Sequence, residues 1–396
     1  MNGVLSADPG RTVIHSVRIL GAADEADWIL FEDGRVRELG RGDSWRQHEA
    51  DAIIDARETA GPDALLTPGF IDLHGHGGGG HAHEGGRDAI LAARAFHLQH
   101  GTTRAVVSFA TAPIHQLASH VATVAELVGR AGILGSHLEG PFLAPERKGA
   151  HDAALLCAPE PSLIDTLLQA GDGTVRQVTI APELAGGIDA VRRIVDAGAV
   201  CAVGHTNADR DTAARAFDAG ASLLTHVFNA MPGLLHRSPG PIGAALSNHD
   251  VTLEIIVDDT HVHADLVRTV AAAAPTRTAF VTDAMVAAGM PDGEYLLGAL
   301  DVTVRDGVAR LTEGDAIAGS TLTQDDALRR AVRAGVPLEV AVNALTRIPA
   351  AALAEENLGK LSVGSIADAV LLDADLAVRA VWVDGKRSVG RQMPTQ

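Results

Sequence analysis

Eight short apolar runs recur along the middle of the chain: Thr67–His74, Thr103–Phe109, Ile133–Glu139, Val175–Ala181, Ala199–His205, Ser222–Val227, Thr252–Asp258 and Thr278–Asp283. Between them lie Ala-rich stretches whose apolar positions follow a 3.6-residue period, which predicts helices over Asp88–His100, His115–Arg130, Gly187–Ala197 and Asp209–Ala219. Strands alternating with helices predict an α/β chain with a (β/α)8 TIM-type barrel, although periodicity does not distinguish a closed barrel from a doubly wound open sheet. The two ends have another rhythm. Thr12–Leu20, Trp28–Phe31 and Arg35–Leu39, the last two joined by Asp33-Gly34, read as strands and a hairpin, as do Ala369–Asp373 and Val378–Val383 before Asp384-Gly385. Neither end can bury a core alone, so residues 1–66 and 358–396 are expected to pair into one small discontinuous β-sandwich domain, with the barrel, 67–357, inserted between them.

Polar residues interrupt the apolar runs at their carboxyl ends, where a barrel places its chemistry. His74 and His76 are two apart, so a strand puts both imidazoles on one face. The third run ends in Glu139, the fifth in His205, the sixth passes through His226, and the eighth ends in Asp283. Imidazoles and carboxylates converging with an open position suit a divalent cation. A single strand histidine is more often a core residue satisfied by backbone. Such groups at five of the eight strand ends are hard to explain that way, because they are rarely buried without partners.

Composition narrows the function further. In 396 residues there are 50 acidic and 32 basic side chains, a net charge of −18, and only 8 Phe, 3 Trp and 1 Tyr, which disfavours binding to nucleic acid. The 2 cysteines, Cys157 and Cys201, form no CxxC pair, and a reducing cytoplasm is the expected compartment. Met1–Gly10 shows no signal-peptide pattern, and no run of about 18 apolar residues suggests a membrane span.

Several blocks carry a family resemblance. Pro68-Gly-Phe-Ile-Asp-Leu-His-Gly-His76 resembles the first-strand signature of the amidohydrolase superfamily. His137-Leu-Glu-Gly-Pro-Phe142, Lys148-Gly-Ala-His-Asp152, Ala181-Pro-Glu183, Gly204-His-Thr206, His226-Val-Phe-Asn-Ala-Met-Pro232, Asp258-Asp-Thr-His261, Val281-Thr-Asp-Ala284 and Ala318-Gly-Ser320 are similar to its N-acetylglucosamine-6-phosphate deacetylases. The likeness extends to Gly364-Ser-Ile-Ala-Asp368 and Trp382-Val-Asp-Gly385. It implies Glu139, His205 and His226 as main metal ligands and His74 with His76 as the pair for a second ion. The bridging carboxylated lysine of the superfamily is absent, and Glu139 would take the shared position. Asp283 matches the catalytic aspartate, base and then acid, and His151 a catalytic and substrate-facing position. Ala150, His151, Asn229, Ala230, Arg237, His261, Ala318 and Gly319 match substrate-binding positions, with Arg237 on a loop that in the family crosses a homodimer interface.

The implied cofactor is one or two divalent ions per subunit, zinc first, with iron, manganese or cobalt as alternatives. The implied partner is a phosphorylated N-acetyl amino sugar. Its galactosamine epimer, another amide such as a cyclic one, and a non-catalytic scaffold stay open as readings. Gly75–Gly80 formally matches GxGxxG, but no convincing helix opens directly after it, so a dinucleotide-dependent oxidoreductase rests on little. His81 and His83 are expected to be flexible or substrate-facing, and His97, His100, His115 and His120 to be surface or helix-packing residues.

Overall fold

The computed structural model describes residues 10–21, 26–314 and 316–388. The outermost parts of the terminal segments, including nearly all of Met1–Gly10, lie outside them. The eight apolar runs form one parallel sheet: β1 (Phe70–Asp72), β2 (Thr102–Phe109), β3 (Ile133–Glu139), β4 (Val175–Ile180), β5 (Val200–Val203), β6 (Leu223–Leu224), β7 (Thr252–Ile256) and β8 (Thr278–Val281), each beside its chain neighbour. The sheet curls until its ends meet. Gly75 bridges Ala284 in parallel, Asp283 N donates to His74 O at 2.8 Å, and His76 N donates to Ala284 O at 2.7 Å. The barrel is therefore tied together just past the carboxyl ends of β1 and β8, where the polar residues lie.

Each strand is followed by a helix: α1 (Arg87–Leu98), α2 (Ile114–Ala125), α3 (Pro161–Ala170), α4 (Gly187–Asp196), α5 (Arg210–Asp218), α6 (Gly240–Ser247), α7 (Ala264–Ala273) and α8 (Gln324–Arg333). Their periodicity explains their seating. In α4, Ala190, Val191 and Ile194 are buried against the barrel while Arg192 and Arg193 face water. Asp209 accepts from Thr212 N and so caps the start of α5.

The first run divides at Pro68-Gly69. Leu65–Pro68 pairs with Ala369–Leu372 in an accessory sheet, and only Phe70–Asp72 enters the barrel. Gly69 sits at the crossing, where a Cβ would come within 2.2 Å of Thr103 Oγ1. The accessory sheets are four-stranded, built from residues 11–55, and five-stranded, built from strands of both ends. Between them Ile14, Phe31, Leu66, Leu371 and Trp382 form an apolar core. Arg104 of β2 locks this layer to the barrel: its Nε donates to Asp368 Oδ2 at 2.6 Å and its Nη2 to Asp384 Oδ1 at 2.6 Å.

One element was not anticipated. Gly293–Leu297, Leu300–Arg305 and Val308–Leu311 form an antiparallel sheet between β8 and α8, with Asp306-Gly307 as one turn. Its apolar face packs on Met285, Ala318 and Ala150. Among the described residues no helix is long and apolar enough to cross a membrane.

Candidate active site

A cavity of about 310 Å³ opens at the carboxyl end of the barrel, lined by His76, Glu139, His151, His205, His226, Asn229, Ala230, His261, Asp283 and Gly319 among others. Glu139 is its centre. Oε1 lies 3.1 Å from His205 Nε2 and 3.0 Å from His226 Nε2, and Oε2 lies 3.1 Å from His76 Nε2. His74 Nε2 and His76 Nε2 are 3.2 Å apart and stand 3.5 and 3.4 Å from Asp283 Oδ1. Two overlapping donor sets result: Glu139, His205 and His226, and His74, His76, Glu139 and Asp283.

These residues fit divalent cations. His205 Nε2 and His226 Nε2 face each other at 3.0 Å, and two neutral imidazoles with converging lone pairs repel unless a proton or cation lies between them. All six side chains are buried. An imidazole and carboxylate set is borderline-hard and accommodates zinc, iron, manganese or cobalt. The backbone around it is strained: His205, His226 and Asp283 have φ of 46°, 25° and 48°, in the left-handed region that side chains with a Cβ usually avoid.

Burial penalises the charged carboxylates, yet their neighbours outweigh it. Burial pushes the Asp283 carboxyl up, but the charge of His74 and the hydrogen bond from His76 bring it down to about 2. Glu139 is likewise held well below the usual range, burial being overcome by His74 and by hydrogen bonds from His151, His205 and His226. Both are ionised at neutral pH. Burial lowers His151 to about 4 despite the hydrogen bond it donates to Glu139, so its ring is neutral. Burial also opposes the charged form of His261, but Asp258 Oδ2 at 2.7 Å from its Nδ1 raises it above its ordinary value.

The structure gathers most of the residues singled out by sequence. His151, Ala150, Asn229, Ala230, His261 and Gly319 all line the same cavity as Glu139 and Asp283. Two do not. Ala318 is buried in the cluster around Met285, next to the lining. Arg237 is exposed on the loop after β6, outside the lining, and so are Leu234 at 47% and Leu235 at 61%. His83 corrects an expectation: it is buried, its Nδ1 is 3.3 Å from Ser108 O, and burial lowers it to about 3. Phe109 packs beside the ring, which fixes what looked like a flexible glycine-rich segment. His81 is exposed, and His97 packs inward with Nε2 2.9 Å from Gly77 O.

Sequence reasoning missed several participants. Arg147, Leu297, Ala316 and Ile317 also line the cavity, and Thr111 holds His151. Glu254, fully buried in β7, lies 3.3 Å from His74. Its signal was available, since a glutamate within Thr252-Leu-Glu-Ile-Ile256 breaks a run expected to be apolar on both faces. A larger cavity of about 1430 Å³ lies between the accessory sheets and the helix around Val342, lined by a near-balanced mix of Arg, Lys, Asp and Glu, and it gathers no such donor set.

Comparison with known proteins agrees with this geometry. Residues 65–388 match the Amidohydrolase family. The N-acetylgalactosamine-6-phosphate deacetylase of Escherichia coli O157:H7 is 36% identical over 369 residues, spanning 89% of this chain and 98% of that protein. The N-acetyl-D-glucosamine-6-phosphate deacetylase structure from Mycobacterium smegmatis superimposes with a TM-score of 0.89 at 40% identity, covering 96% of this chain and 100% of that one. A mutant of that enzyme in complex with N-acetyl-D-glucosamine-6-phosphate gives a TM-score of 0.89 at 39% identity, covering 96% and 99%.

Proposed function

The chain belongs to the amidohydrolase family, and from that premise we propose that it hydrolyses N-acetyl-D-glucosamine 6-phosphate to D-glucosamine 6-phosphate and acetate. The observation that carries the reading is the presence of ionised Asp283 and neutral His151 in one small cavity with the Glu139–histidine cluster. Ligand cavities commonly span roughly 300–1,000 Å³, so a volume near the lower end suits one sugar rather than a polymer.

Glu139, His205 and His226 would hold one divalent ion, and His74, His76, Glu139 and Asp283 a second. When bound, such an ion supplies Lewis acidity, bringing the pKa of water down towards about 7. Asp283 takes the proton from the attacking water and then delivers it to the amine nitrogen as the C–N bond breaks. His151 Nε2–H, on the cavity side near Glu139 Oε2, would donate to the acetyl oxygen as it gains negative charge. Asn229, Ala230, His261, Ala150 and Gly319 would orient the sugar. Asp258 favours the charged form of His261, which would suit a phosphate nearby.

The phosphate also calls for a fork of donors, and we assign this to Arg237 of the partner subunit in a homodimer. The exposed Leu234 and Leu235 on the same loop support that assignment, being apolar surface that a second copy would cover. Free Cys157 and Cys201 fit a reducing cytoplasm. The second reading is the galactosamine epimer, favoured by the 36% identity to the E. coli enzyme. Acetate release from both epimers, with unphosphorylated sugar alongside, before and after chelation, tests the proposal. Turnover should need metal and be much slower without the phosphate, and Asp283→Asn should lower kcat by about 10²–10⁴-fold. No acetate with any metal refutes it, and faster turnover of the galactosamine sugar selects the second reading.

A further inference from the structure

Glu254 projects into the barrel interior from β7 with no exposed surface. A carboxylate there is expensive unless its charge is met. Its only ionic partner among the described residues is an imidazole: Oε2 lies 3.3 Å from His74 Nδ1, while Oε1 accepts from Gln177 Nε2 at 3.0 Å. A carboxylate only accepts, so Nδ1 of His74 carries a proton, and in the neutral ring Nε2 presents its lone pair. That lone pair faces the space bounded by His76 Nε2 at 3.2 Å, Glu139 Oε1 at 3.4 Å and Asp283 Oδ1 at 3.5 Å.

The other histidines of the cluster are held differently. His205 Nδ1 lies 2.8 Å from the Arg147 carbonyl oxygen, whereas Nδ1 of His76 and of His226 is buried with no partner. His74 is thus the one ring of the second donor set that a carboxylate orients.

We propose that Glu254, seated on Gln177, is the positioning residue of the second cation site, fixing the His74 ring and tautomer so that Nε2 can bind. The proposal rests on the two-ion reading of the site above. A polar cluster that merely fills the barrel core would leave metal stoichiometry untouched when altered. Ligand-orienting carboxylates, by contrast, govern affinity by about 10–100-fold.

The test is titration of the metal-depleted full-length protein with Co²⁺, followed by calorimetry and elemental analysis, for wild type, Glu254→Leu and Glu254→Gln. Wild type should take two ions. Glu254→Leu should keep the first with unchanged affinity and bind the second about 100-fold more weakly. In Glu254→Gln the loss should be nearer 10-fold, because the new amide oxygen still accepts from Nδ1–H, and Gln177 can turn its partnerless Oε1 towards the new NH2 group. Nitrogen NMR should show His74 protonated at Nδ1 in wild type and in Glu254→Gln.

A Glu254→Gln protein that holds both ions with wild-type affinity overturns the proposal whether or not the leucine variant folds, as does equal weakening of both ions. Wild type binding a single ion refutes the two-ion reading and the proposal with it. Two ions bound, dependent on Glu254 but without acetate release, would overturn the deacetylase reading alone.

Discussion

The backbone N–H of Thr111 donates to Nδ1 of His151 at 3.2 Å. A backbone N–H cannot accept, so Nδ1 must, and the proton of the neutral ring is forced onto Nε2, 3.5 Å from Glu139 Oε2 on the cavity side. The Thr111 hydroxyl, 2.8 Å from the same Nδ1, adds a second donor. The ring therefore presents a fixed N–H donor to the cavity.

His151→Ala should lower kcat by about 10²–10³-fold and change KM little, because the donor matters most as charge develops. Thr111→Val should cost less than about 10-fold, since the backbone donor that sets the tautomer remains. Steady-state kinetics on both variants decides the matter: if valine is as damaging as loss of the imidazole, the hydroxyl and not the backbone orients the ring.

Much of this arrangement was legible in the sequence because barrel chemistry sits at strand ends. The spacing of His74 and His76 and the positions of Glu139, His205, His226 and Asp283 just past apolar runs were enough to place the cluster. What escaped was supplied from beneath or across. Thr111 acts through its backbone, which no residue identity records. Glu254 and Gln177 lie inside strands and reach the site only because the sheet curls, and the sheet over the cavity belongs to a chain excursion that closes back on Ala150. Thr67 and Pro68 read as part of the first barrel strand, whereas they pair with Val370 and Ala369 in the accessory sheet.

Arg237 is exposed and outside its own cavity, so its effect should depend on assembly. Arg237→Ala should raise KM for the phosphorylated sugar by about 10–100-fold, the range of one or two charge-assisted hydrogen bonds, with kcat near wild type. The slow turnover of unphosphorylated sugar should not change. Light scattering should give twice the chain mass for wild type. A monomer with the same KM defect would place Arg237 in its own subunit's site instead.

Asp325 offers a pH test outside the metal donor sets. Its Oδ1 lies 3.0 Å from His100 Nδ1, joining α8 to the turn after α1. Burial raises its pKa, but His100, Arg329 and Thr323 bring it down to about 2. A carboxyl depressed in the folded state stabilises it above the unfolded value of about 3.9, and that stability fades as pH falls towards the folded value. Asp325→Asn should thus cost roughly 2 kcal/mol at pH 7, and the gap to wild type should shrink by about half near pH 3. Urea unfolding across that range measures it. A gap that stays constant with pH would mean the loss is packing or hydrogen bonding, not the carboxylate's charge.

Arg104 ties the barrel to the accessory sheets through Asp368 and Asp384. The guanidinium is 7% exposed and Asp368 is 4% exposed, so removing one partner leaves the other buried without its countercharge. Arg104→Ala should destabilise by about 3–5 kcal/mol, more than a surface pair could explain. Asp384 is half-exposed, at 55% for its side chain, and Asp384→Ala should cost within about 1 kcal/mol, as exposed pairs do. Because Arg104 sits on β2, whose Ala105 and Ser108 neighbour β1 and Gly75, its loss should also lower catalytic activity in protein that remains folded. Unfolding measurements and kinetics on the two variants separate these effects. Equal destabilisation by both would show that the outer carboxylate, and not the buried Arg104–Asp368 pair, carries the joint.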